Sequence, residues 1–218
     1  MNIVQLIKKD WLSFSLLIIP FVLAAILWKQ LPASLAVQFS FSGEVNRYDS
    51  KGFFMIVMAA ISIFTYGLLL MVPYIDPKPT AKYVHKPLSI IRLTMAALLC
   101  IIMSAILLFN VGISVGIGML GKVVVPIVLL VVGNLFSKLR TNYFVGIRTP
   151  WTLENEEVWV KTHRMAGGLW VASALFMLML AFSLPDHLYP IAVIVLTAIM
   201  VLVPIVYSYL LFQKLKTT

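Results

Sequence analysis

Apolar residues in this chain fall into long runs separated by short polar intervals. A helix needs about 20 apolar residues to cross the roughly 30 Å hydrocarbon core of a bilayer. Six runs meet that length: about Trp11 to Trp28, Phe53 to about Ile75, Leu88 to about Val111, about Met119 to Ser137, about Ala166 to Leu184, and Tyr189 to about Phe212. Between Leu88 and Ser137 the only formal charges are Arg92 and Lys122, so this stretch reads as two crossings. The reversal falls at Gly112-Ile113-Ser114-Val115-Gly116-Ile117-Gly118, where glycine tolerates the dihedrals of a tight turn. Pro185-Asp186-His187 separates the last two runs. Pro20, Pro73, Pro126 and Pro204 lie within or at the ends of spans, as tolerated kinks or as hinges. The first run also bears comparison with a signal peptide, since Lys8 and Lys9 precede it and Ala33-Ser34-Leu35-Ala36 resembles a cleavage site. Its length, and Lys29 and Gln30 between core and site, favour a retained helix.

Two intervals are long enough to carry specificity, residues 31–52 and 138–165. In the first, apolar Val37, Phe39 and Phe41 alternate with polar neighbours, the period-two pattern of a half-buried strand. Ser42-Gly43-Glu44 is then a turn and Val45 starts the return, so a small hairpin is expected over the helix ends. Two roles are open to it: a cap that covers the bundle, or a docking edge to which an extracellular peptide adds a strand. Gln38, Phe39, Phe41, Gly43, Asn46 and Tyr48 are the candidate peptide-binding residues.

Composition agrees with a membrane protein. Hydrophobic residues make up 61% and charged residues 11%, against about half and a quarter in soluble domains. The net charge of +9 would suggest nucleic acid on a soluble protein. Here the basic residues lie mainly between apolar runs, beside lipid headgroups, and no direct nucleic-acid contact is expected. With the N-terminus inside, the outer face holds only Lys29, Arg47, Lys51 and Lys122 of the 17 Lys and Arg residues. That bias places both termini and residues 138–165 in the cytoplasm. Cys100 is the single cysteine, so an intrachain disulfide and a thiolate zinc cluster are both excluded. The expected fold is an all-α integral membrane protein of about six transmembrane helices, N-in and C-in. It carries a small extracellular β-hairpin-like loop and a cytoplasmic amphipathic helix. The expected division is a two-helix unit, residues 1–87, and a four-helix unit, residues 88–218.

The inner interval holds the densest chemistry. Thr149 before Pro150 reads as a helix N-cap with proline at the first helical position, with Thr152 as a competing cap. Glu154, Glu156 and Glu157 fall where the helix dipole favours negative charge, and Lys161 and Arg164 fall later. One amphipathic helix over 150–165, leading into the fifth span, is expected, with Glu157 and Lys161 as an i,i+4 pair. Trp159 and His163 share a face, and Glu156 lies one turn before Trp159. No second histidine stands near enough for a metal pair, so no metal, cofactor or catalytic residue is assigned. Arg140 and Arg148 have two candidate partners, lipid phosphate or Glu154, Glu156 and Glu157.

The run Gly133-Asn134, Arg140, Asn142-Tyr143-Phe144, Gly146-Ile147-Arg148-Thr149-Pro150-Trp151-Thr152-Leu153, then Trp159, His163-Arg164 and Gly167-Gly168 resembles the signature of the SdpI family of bacteriocin immunity and signalling proteins. The segment around Leu31-Pro32 and Gln38 to Tyr48 resembles a domain of unknown function that often precedes it. Histidine is common near the Gln38 position in that domain, so Gln38 is a departure that weakens any titrating or metal-binding role there.

The resemblance implies a non-enzymatic, multi-pass protein of the bacterial plasma membrane that gives resistance to a secreted antimicrobial peptide toxin. It also implies a second task, holding a cytoplasmic winged-helix repressor at the membrane. Its implied partners are the lipid bilayer, the toxin peptide and the repressor. Two rival readings remain. A transporter or exporter would place ionisable groups near the midplane, whereas Arg92 and Lys122 sit near span ends and no Asp or Glu falls mid-span. A membrane enzyme acting on lipid or peptide would use His163 with Glu156 or Glu157.

Overall fold

The computed structural model describes residues 10–77 and 85–216. Lys8, Lys9, Lys78 and Lys82, which the charge bias assigns to the inner face, lie outside them. The elements run α1 (Trp11–Leu27), β1 (Ser34–Phe39), β2 (Val45–Ser50), α2 (Lys51–Ile75), α3 (His85–Asn110), α4 (Ile117–Phe136), α5 (Pro150–Glu154), α6 (Glu156–Ser183) and α7 (Tyr189–Lys216). Five of these helices, α2, α3, α4, α6 and α7, are long and apolar enough to cross a membrane by length and composition. α1 is apolar but 17 residues long, the lower edge of what spans a bilayer. Large apolar side chains stay exposed along these helices, Ile63 at 74% and Phe182 at 72% among them. In water that would be an aggregation hazard; against lipid it is solvation. The protein is a multi-pass α-helical membrane protein with one small hairpin.

Two compact units form by internal contact, one from residues up to 69 with 89–124, the other from 70–88 with 125 onward. In the first unit Ala24, Leu31, Leu35, Phe54, Met103, Ile106 and Leu107 form a buried cluster that joins α1, the hairpin, α2 and α3. The hairpin is antiparallel, with Ser34 opposite Ser50, Ala36 opposite Tyr48 and Phe39 opposite Val45. Its register slips on either side of Gln38. Leu35 and Ala36 are both fully buried, and Val37 and Phe39 are partly buried against the cluster.

A buried ionic group anchors the other part of this unit. Arg92 donates from Nε and Nη2 to Asp10 Oδ2, both at 2.7 Å, and Tyr66 Oη donates to the same oxygen at 3.0 Å. Asp10 and Arg92 are about 95% shielded from solvent. A charge removed from water persists only when paired and hydrogen-bonded, and this arrangement meets both conditions.

In the second unit, α6 and α7 pack along each other and the short α5 rests on both. Gly133 of α4 and Gly167 of α6 meet backbone to backbone: a Cβ on Gly167 would lie 2.8 Å from the Gly133 carbonyl, and one on Gly133 would lie 2.7 Å from Trp170 Cβ. Small residues allow this closeness.

The single amphipathic helix expected over 150–165 is instead two. α5 ends at Glu154, Asn155 is extended at φ −124° and ψ 118°, and α6 then runs unbroken from Glu156 to Ser183. Asn155 Oδ1 accepts from the N–H groups of Glu157 at 2.8 Å and Val158 at 3.1 Å. Asparagine is among the strongest N-caps and a weak helix former, so it starts a new helix where its acidic neighbours suggested continuity.

Candidate functional site

The inner loop, residues 137–149, is held by side chains that bond its backbone. Asn142 is fully buried. Its Oδ1 accepts from Phe144 N at 3.0 Å and Val145 N at 2.7 Å, while its Nδ2 donates to the carbonyls of Arg140 at 2.8 Å and Val145 at 3.0 Å. Both lone pairs and both hydrogens of the amide are thereby used. The loop next reaches Gly146 at φ +115°, a conformation that favours glycine. A Cβ at this position would also collide with His163 Nε2.

His163 lies on the buried face of α6. Its Nε2 accepts from Ile147 N at 3.0 Å, and its Nδ1 lies 2.9 Å from the Trp159 carbonyl. An accepting Nε2 leaves the proton on Nδ1, so Nδ1 donates to that carbonyl and the tautomer is set. The imidazole stacks on Trp159, with ring centres 4.0 Å apart, and meets Phe136 edge-on at 5.7 Å. Trp159 Nε1 donates to the Leu139 carbonyl at 2.9 Å. His163 and Trp159 thus clamp the loop from two sides.

Thr149 caps α5 as its sequence suggested, and Thr152 completes the box instead of competing with it. Thr152 Oγ1 accepts from Thr149 N at 2.9 Å, and Thr149 Oγ1 accepts from Thr152 N at 3.3 Å. Pro150 occupies the first turn, where its missing N–H costs nothing. Trp151 reaches α7, where its Nε1 donates to Ser208 Oγ and its ring meets Tyr209 edge-on at 5.3 Å.

The exposed layer is more loosely tied. Arg148 Nη1 donates to the Tyr143 carbonyl at 2.6 Å, and Tyr143 N donates to Asp76 Oδ2 at 2.7 Å. Arg148 therefore orders the loop and does not pair with Glu154, Glu156 or Glu157. Arg140 approaches Glu156 at 3.8 Å with both side chains more than half exposed, a pair that contributes little. Glu157 and Lys161 form the expected i,i+4 pair at 2.6 Å. Gly133, Gly167, Asn142, Gly146, Thr149, Trp159 and His163 join the loop or the helices that hold it. Asn134, Arg164 and Gly168 are exposed, and a Cβ on Gly168 would meet open space.

On the hairpin, Gln38, Asn46 and Tyr48 are exposed, Tyr48 at 61%. Phe39 turns inward and meets Phe109 edge-on at 4.8 Å. Gly43 sits in the turn at φ +89°, and the turn rests on Gly118, where an added Cβ would lie 2.5 Å from the Phe41 carbonyl. The hairpin is latched by Asn110, whose Oδ1 accepts from Ala36 N at 2.8 Å and whose Nδ2 donates to the Ala36 carbonyl at 2.9 Å. Asn110 thereby occupies both main-chain groups of Ala36.

Asn110, Ser208, Asn155, Asp76 and the Asp10–Tyr66–Arg92 group were not singled out by the sequence. A polar residue at the end of an apolar run was the only available signal for Asn110. Among the described residues no group of three or more His, Cys, Asp and Glu side chains is placed to hold a metal ion.

Residues 138–208 match the SdpI/YfhL protein family, and residues 15–63 match a domain of unknown function, DUF1648. The chain is 27% identical over 213 residues to the immunity protein SdpI of Bacillus subtilis (strain 168), covering 96% of this chain and 98% of that protein. No solved structure matches.

Proposed function

From the premise that this chain carries an SdpI/YfhL family region behind a DUF1648 region, we propose that it is a membrane immunity protein protecting its cell against a secreted antimicrobial peptide. The observation that carries this is similarity to an immunity protein along nearly the whole of both chains, which takes in the hairpin as well as the inner loop. The hairpin offers the outer contact. Its exposed face, with Gln38, Asn46 and Tyr48, meets an amphipathic peptide, while Phe39 and Gly43 hold the hairpin in place and Phe41 lies in its turn. The inner loop is the cytoplasmic face. A winged-helix repressor held there would meet Tyr143, Arg140 and Arg164, all exposed, with Asn142, Gly146, Arg148 and His163 as the frame beneath.

Binding is favoured over chemistry because both nitrogens of His163 are engaged with backbone groups, leaving neither for a substrate proton. A peptide bound outside alters the inner loop only insofar as it prefers one of two loop states.

The test is expression in a sensitive bacterium, followed by challenge with secreted peptides encoded beside the gene. Survival above the empty-vector control is expected, and hairpin variants at Tyr48 and Asn46 should lose it while membrane levels hold. Equal survival with and without the protein across that panel would overturn the reading.

A further inference from the structure

A cavity of about 430 Å³ lies between the inner loop and the helices α4, α6 and α7 in the second unit. That volume falls within the range of about 300–1,000 Å³ typical of small-ligand sites. Its walls include Phe136 of α4, Gly146 and Arg148 of the loop, Trp170 of α6, and Met200 and Ile205 of α7.

The chemistry of this cavity is divided. The floor is apolar and comes from membrane-spanning helices. The neutral polar side chains in the walls are satisfied internally: Trp170 Nε1 donates to the Met200 carbonyl at 3.0 Å, and the Thr149 hydroxyl is engaged with Thr152. Arg148 is the one charged lining residue and it is exposed. Its Nη1 bond to the Tyr143 carbonyl fixes the guanidinium. Among the described residues no carboxylate pairs with it.

An apolar chain joined to an anion satisfies both halves, and the bilayer supplies such a molecule at the ends of spanning helices. We propose that this cavity is a phospholipid site, with one acyl chain laid over Phe136, Trp170 and Ile205 and an anionic headgroup phosphate on Arg148. Guanidinium groups suit phosphate because their N–H fork matches two oxygens. Basic pockets between helices at the cytoplasmic surface bind anionic headgroups in this way. Free phosphate gains nothing from the apolar floor. A zwitterionic lipid presents a compensating ammonium, which weakens its hold on a single arginine.

The site stands whether or not the protein protects against a peptide. Native mass spectrometry of the full chain in mild detergent tests it, with phosphatidylglycerol, phosphatidylcholine and inorganic phosphate as separate probes. A one-to-one phosphatidylglycerol adduct is expected, with phosphatidylcholine weaker and phosphate unable to compete. Arg148→Gln should weaken the adduct by roughly fivefold, the worth of one arginine near a charged surface, and Arg148→Lys should retain most of it. Ile205→Trp, which fills the cavity, should abolish it. Val201→Phe narrows the same cavity from a lipid-facing position and serves where Ile205→Trp does not fold. Equal binding of the two lipids, or adducts unchanged in both the charge and the cavity variants, would overturn the proposal.

Discussion

Gly146 and His163 are packed so closely that no side chain fits between them, and the imidazole takes the place a Cβ would occupy. The Ile147 N–H that follows donates to the same ring at 3.0 Å. The sharp backbone at Gly146 and the buried histidine are therefore one device: the turn delivers an N–H to a fixed acceptor.

Gly146→Ala should consequently be among the most damaging single changes in the inner loop. The positive φ alone costs about 1–3 kcal/mol for a residue with a Cβ, and displacing the imidazole adds repacking strain. Thermal unfolding of detergent-purified protein, followed by tryptophan fluorescence, should show a clearly lowered midpoint. A midpoint equal to the parent's would mean that the loop is not held as described.

His163→Ala separates a structural histidine from a chemical one. It leaves the Ile147 N–H without its buried acceptor, a loss of about 1–3 kcal/mol, and removes the stacking on Trp159. Thermal stability and membrane level should fall together, with protection against peptide declining in proportion. Full stability with complete loss of protection would point to chemistry at the imidazole.

The spans were legible in the sequence because an apolar run of bilayer length has few other readings. Phe53 to Ile75 and Tyr189 to Phe212 match α2 and α7 to within a few residues. The hairpin was legible from its alternation, although the neighbours Leu35 and Ala36 are both buried, which no strict period predicts. Asn155 was hidden because its glutamate neighbours suit either the middle of an amphipathic helix or the first turn of a new one. The inner-loop residues could be recognised as a set, yet their roles depend on which backbone atoms come within reach. Asn142 bonding its own loop and His163 accepting from a residue 16 positions away are properties of the folded chain.

Asp10 and Arg92 lie 82 positions apart; the sequence marked Arg92 only as a charge near a span end and gave it no partner. Burial of the pair makes single and double changes differ. Arg92→Met leaves the Asp10 carboxylate without its cation, and breaking a buried pair costs about 3–5 kcal/mol. Asp10→Leu combined with Arg92→Met removes both charges and should recover much of that stability. The cycle is read from unfolding midpoints in detergent. A double variant as unstable as the sum of the singles would show that the charges are not coupled.

Asn110 couples the hairpin to α3, and its removal should affect the outer face alone. The Asn110 amide replaces a neighbouring strand for Ala36, satisfying its N–H and its carbonyl together. Asn110→Ala leaves both groups unmet at a strand whose adjacent side chain, Leu35, is fully buried, at a cost of about 1–3 kcal/mol. Because the latch lies within the first unit, the unit that holds the inner loop should keep its packing. Limited proteolysis should then cut between Ser34 and Ser50 well before the parent is cut, while trypsin cleavage near Arg140 and Arg148 stays at the parent's rate. Protection against peptide should fall as hairpin cleavage rises. Parent-like hairpin resistance would mean that the buried cluster around Leu35 holds the strands without the amide, and acceleration at both loops would mean that the variant had lost its fold as a whole.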